Sequence, residues 1–158
     1  MPQIKPKSVQ DLLKFIEDHK AKIENGTYDL VIENDWVPKL SDDVLHLLIK
    51  HCPSSCVTIA LNKTIPPRVL EILTRNMHYS VCATIAGNPG TPSVVLEYLS
   101  RNYEVDVLLA VAGNPSTPAD VLDNLSRRNS NINILMAIAS NSSTPSRTLC
   151  NLSSDRRT

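Results

Sequence analysis

Aromatic side chains are scarce in this chain: one Phe, one Trp and four Tyr among 158 residues. A core of ordinary size must therefore be packed from Leu, Ile, Val and Ala. Net charge is missing as well, because sixteen Lys and Arg balance sixteen Asp and Glu. That balance removes the broad cationic surface needed to bind nucleic-acid phosphates or anionic lipid. No apolar run approaches the ~18 residues of a membrane helix. The opening stretch MPQIKPKSVQDLLKFIEDHK is broken by charges where a secretory leader would hold its apolar core. The expectation is a cytoplasmic protein with neither membrane nor nucleic acid as partner. Four cysteines, Cys52, Cys56, Cys82 and Cys150, are too few and too irregularly spaced for a secreted disulfide framework. Catalytic signatures are also lacking: His19, His46, His51 and His78 are scattered, and no GxSxG, P-loop or HExxH occurs. An enzyme is not expected. What remains is a composition 42% hydrophobic and 20% charged, that of one globular domain.

The chain repeats itself. GNPGTPSVVL at 87–96 returns as GNPSTPADVL at 113–122. Asn62, Asn88, Asn114 and Asn141 stand 26, 26 and 27 residues apart, and each is followed four residues later by a proline: Pro66, Pro92, Pro118 and Pro145. Leucine pairs follow at fixed offsets, Leu70 and Leu73, Leu96 and Leu99, Leu122 and Leu125, Leu149 and Leu152. Val44, Leu45 and Leu48 form a fainter first copy, making about five units. Such a period marks units that bury their apolar faces only by stacking on their neighbours.

Each unit reads as two helices. Pro118 suits the first position of a helix over roughly 118–128 and Thr117 suits its cap, while Asp120 favours the positive end of the dipole. Val121, Leu122 and Leu125 share the apolar face, leaving Asp123, Asn124 and Arg127 in water. A shorter helical segment precedes each Asn: VTIAL, VCATIAG, VLLAVAG and ILMAIAS. Gly87 and Gly113 suit a left-handed stop there. The Asn column itself reads as turn chemistry rather than as a ligand ladder.

DVLLAVAGNPSTPADVLDNLSRRNS and SVCATIAGNPGTPSVVLEYLSRN resemble the variant leucine-rich repeat of bacterial proteins, whose units run V-R-x-A-V-A-x-N-P-x-T-P-x-x-V-L-x-x-L. The likeness spans residues 55 to about 153. It implies an all-α, right-handed helical solenoid of alternating α and short 3₁₀-type helices without β-sheet, used as a non-catalytic scaffold for other proteins. Here that means about five two-helix repeats of 25–27 residues over 37–153, an N-terminal cap over 1–36 and a frayed tail at 154–158. In the cap, Ser8 would start a helix carrying Val9, Leu12, Leu13 and Ile16, and Gly26 would stop it. TYDLVIEND would then form a short extended segment, with Trp36 anchoring the cap.

One departure is consistent. Where the family usually has Arg, six residues before the Asn, this chain has Cys56, Cys82, Leu108 and Leu135. The apolar positions of the short helix then span an arc of about 200°, where one-sided packing needs ~100°. Either the short helices are buried almost all round, or this column, with Val57, Leu109 and Met136, is an exposed ridge that meets a partner. At the first junction, Cys52, Cys56, His78 and Cys82 form two i, i+4 pairs in equivalent positions, a ligand set suited to zinc. Stacked helices 8–10 Å apart oppose such a site. Some members of the family that the repeats resemble carry an iron–sulfur module ahead of them, but the cysteine-rich segment expected for one is not present; small buried thiols are the leading reading and no cofactor is expected.

The leading functional expectation is a non-enzymatic protein-binding scaffold. Its most concrete form is a small bacterial partner-neutralising protein, such as an immunity protein against a toxin. The alternative is a metal- or redox-sensing module at the Cys/His junction.

Overall fold

The computed structural model describes residues 3–4, 6–24, 29–30, 40–51, 53–61, 65–76 and 78–154. Gly26, Trp36, Cys52, Asn62 and residues 155–158, each given a role above, lie outside the described residues. Helix α1 (Val9–Glu24) follows a two-residue strand β1 (Gln3–Ile4), which pairs in parallel with β2 (Asp29–Leu30). Nine further helices follow among the described residues: α2 (Asp42–His51), α3 (Pro53–Ala60), α4 (Pro67–Asn76), α5 (Tyr79–Gly87), α6 (Ser93–Leu99), α7 (Val105–Gly113), α8 (Ala119–Arg128), α9 (Ile132–Ser140) and α10 (Ser146–Ser154). None is long and apolar enough to cross a membrane.

The helices sort into two series. Those preceding the Asn positions pack on one another in order, α3 on α5, α5 on α7 and α7 on α9. Those following the prolines, with α2 in the equivalent place of the first copy, pair likewise, α2 on α4, α4 on α6 and α8 on α10. The core lies between the series, where Leu70, Leu73, Leu96, Leu99, Leu122 and Leu125 meet Ile59, Ile85, Val111 and Ile138, all buried. Each such side chain contributes about 1.5–3 kcal/mol by leaving water. At the N-terminal end α1 packs on α2 through buried Leu12 and Ile16, and the Ser8 hydroxyl accepts the Asp11 N–H at 3.1 Å as its cap.

The Asn positions join one unit to the next. Asn114 Nδ2 donates to Ala86 O at 2.6 Å and Asn88 O at 2.9 Å, carbonyls of the preceding unit. Asn141 does the same to Ala112 O and Asn114 O, at 2.7 and 2.9 Å, and Asn88 reaches Ala60 O at 2.9 Å. The Asn114 Oδ1 meanwhile accepts the Ser116 N–H at 2.9 Å, closing the turn that leads to the proline. One buried amide thus satisfies an orphan carbonyl at a helix end, shapes its own turn and fixes the register of adjacent units.

Four expectations change. First, α5, α7 and α9 are α-helices of nine residues rather than 3₁₀ segments; i to i+4 bonds such as Leu108 N to Glu104 O form at their first turns. Second, Pro118 is itself the extended cap residue of α8, with φ −60° and ψ 146°. Thr117 instead donates its hydroxyl backward to Val111 O at 2.6 Å, as Thr91 does to Ile85 O and Thr144 to Ile138 O. The threonine therefore finishes the preceding helix. Third, Gly87 and Gly113 lie within α5 and α7 without a left-handed φ. Asn88 and Asn114 end those helices with φ −76° each. Fourth, Asp123 is buried. It accepts from Thr148 at 2.7 Å on one oxygen, and from Arg127 at 2.9 Å and Arg147 at 3.0 Å on the other.

Candidate functional site

The column six residues before the Asn is buried. Cys56, Cys82, Leu108 and Leu135 belong to the core, which corrects the exposed-ridge expectation for these four. The physical reason is helical phase: at ~100° per residue, that position falls between those three and two before the Asn, and both face inward. In α7 these are Val111 and Ala112, each fully buried. Leu108, at 6% exposed, shares their side, whereas Leu109 is turned a further ~100° toward water and is 37% exposed.

Water reaches the short helices at their first residues and at the phase just beyond the buried column. Nine residues before the Asn stand Tyr79, Val105 and Ile132, exposed by 39%, 44% and 45%. Four residues later, on the same side of each helix, stand Ala83, Leu109 and Met136. Ala83 is half-buried and Met136 is 60% exposed. Because α5, α7 and α9 pack side by side in a register set by the Asn bonds, these residues line up as a two-column apolar stripe across three helices. Val57 of α3 holds the equivalent position and is half-buried. Of the seven residues expected at a partner surface, the structure therefore keeps Leu109 and Met136 on an exposed face, Val57 at its edge and the other four inside. Tyr79, Val105 and Ile132 were missed. They precede the matched motif, but their shared apolar character at one repeat position was the available signal.

The Cys/His junction is occupied by local structure. Burial pushes the Cys82 thiol pKa up, and Cys82 Sγ lies 3.7 Å from Thr74 O as its donor. His78 caps α5, its Nδ1 accepting the Ser80 N–H at 3.5 Å, and it is exposed. Cys56 is buried. Among the described residues no three His, Cys, Asp or Glu side chains are grouped to hold a metal ion.

The helices that follow the prolines also expose apolar side chains, Val94, Tyr98 and Leu149 by 58%, 48% and 39%. A cleft of about 220 Å³ has Val94, Val95 and Tyr98 among its lining, with Arg75, Glu97 and Arg101 at its walls. Glu97 and Arg101 form an exposed i, i+4 pair at 3.1 Å, the kind that contributes little to stability. Around Asp123, the Thr148 hydroxyl bond first, then the charges of Arg127 and Arg147, hold the carboxyl below its ordinary pKa against the opposing effect of burial. This cluster ties α8 to α10.

No family model, curated protein or solved structure matches the chain.

Proposed function

We propose that the chain is a right-handed helical solenoid of about five two-helix units that works as a non-enzymatic protein-binding scaffold. The observation that carries this reading is the apolar stripe of Tyr79, Val105, Leu109, Ile132 and Met136. These side chains are water-exposed at repeated positions where folding alone would tolerate polar ones. Large apolar groups aligned on a stack of rigid helices provide the water-excluding centre that protein interfaces use, with small polar neighbours such as Ser80 and Asn133 at the rim. In its most concrete form the protein is a small cytoplasmic inhibitor of the immunity type in a bacterium, neutralising a protein toxin by covering its working surface. It needs no cofactor, nucleic acid or membrane for this.

The test is affinity capture from the native host with wild-type protein and with Leu109→Arg. Leu109 is on the exposed side, so the variant should fold. The expected result is a partner, identified by mass spectrometry, that is held by the wild type and lost by the variant. Equal capture of the same partner by folded Leu109→Arg would remove the stripe as the interface and move attention to the cleft between α4 and α6.

A further inference from the structure

From the sorting of charge around the stripe we infer that its occupant is a cationic amphipathic α-helix; the inference rests on the protein-binding reading above. Across α4 to α10, the arginines Arg68, Arg75, Arg101, Arg127, Arg128 and Arg147 all lie on or just after the helices that follow the prolines. The helices that carry the stripe, with their cap residues, hold only two formal charges, Glu104 and Asp106, both acidic and both exposed. No Lys or Arg stands on these three helices; Arg101 and Arg128 line a pocket with Leu108 of α7. The two carboxylates sit at the first turn of α7, the middle helix, one on each side of Val105 in sequence. Helix N-termini favour anions through about half a unit of charge. Two full carboxylates exceed that on α7, so the centre of the stripe attracts a cation.

The shape of the stripe points to a helix. Its apolar pairs recur at the spacing of stacked helices, 8–10 Å. In a partner helix, side chains a heptad apart on one face are separated by about 10.5 Å. A helix laid across α5, α7 and α9 would therefore place one apolar anchor against each, with a Lys or Arg beside the central anchor facing Glu104 and Asp106. Such a segment needs about 14 residues to span ~20 Å.

The probe is a labelled peptide of about that length, with leucines along one helical face and lysines elsewhere. Its glutamate-for-lysine counterpart is the control, and both are titrated into the full chain by fluorescence anisotropy. The lysine peptide should bind and the glutamate peptide should not. Leu109→Arg should abolish binding. The double variant Glu104→Lys and Asp106→Lys, whose changes are on the surface, should weaken it roughly fivefold or more, and added salt should weaken the wild type likewise. Circular dichroism confirms that each variant is folded. Equal binding of both peptides, or no effect of the double variant, overturns the cationic assignment. If neither peptide binds while host capture still depends on Leu109, the protein-binding reading stands and the helix is wrong. If neither binds and capture is independent of Leu109, both fail. A wild-type chain that is dimeric by light scattering, and monomeric as Leu109→Arg, would assign the stripe to self-association and also overturn the inference.

Discussion

At the residue scale, Asn114 is the side chain on which the repeat depends most. It makes three buried or half-buried bonds, to Ala86, Asn88 and Ser116, so deleting its amide leaves two carbonyls of the preceding unit without that donor. Asn114→Ala should lower stability by roughly 1–3 kcal/mol, seen as a reduced urea midpoint. Loss within error of zero would mean that apolar stacking alone sets the register. The recurrence of Asn was legible in the sequence because period and identity are local facts. Its reach across 26 to 28 residues was not, since it depends on how far apart adjacent helices sit. Asp123 was misread for a related reason. On its own helix it falls on the polar side, and only Thr148 and Arg147 of α10 turn that side into an interior. Its folded pKa is lowered, so its contribution is complete well above the ordinary value of 3.8 and is lost as pH falls through the depressed one. Wild-type stability should therefore decline more steeply in acid than that of Asp123→Asn. Parallel acid slopes in urea titrations would show that the cluster contributes nothing through its charge.

At the element scale, the two-helix unit was readable from proline, leucine and glycine positions, but the junction chemistry came out differently. Thr117 looked like the cap of the helix after it because Ser and Thr commonly cap. Here Pro118 occupies the cap position, and the threonine hydroxyl bonds the carbonyl six residues behind. Gly113 illustrates the same limit. A glycine at a helix end invites a left-handed reading, yet it is an exposed helical residue, and nothing lies within 4 Å of where a Cβ would be. In the last unit Ser140 holds the equivalent place. Gly113→Ala should accordingly stabilise the protein by about 0.4–1 kcal/mol, because alanine loses less freedom on folding and meets no strain. A lower melting temperature for Gly113→Ala would restore the left-handed stop.

At the scale of the whole molecule, one division organises the fold: each helix before an Asn turns one side to a shared core and another to water. The apolar excess of these helices was evident from the sequence, but its direction was not, because an arc that wide contains both sides. Neighbouring leucines decide the matter. Leu108 is core and Leu109 is surface, one residue and ~100° apart. The most direct measurement is a pair of thermal and urea melts on Leu108→Arg and Leu109→Arg, alongside wild type. Burying an uncompensated guanidinium should cost Leu108→Arg several kcal/mol and leave it largely unfolded, while Leu109→Arg should melt within about 0.5 kcal/mol of wild type. A stable, folded Leu108→Arg, or equal damage from both, would contradict the placement of the core and with it the exposed stripe.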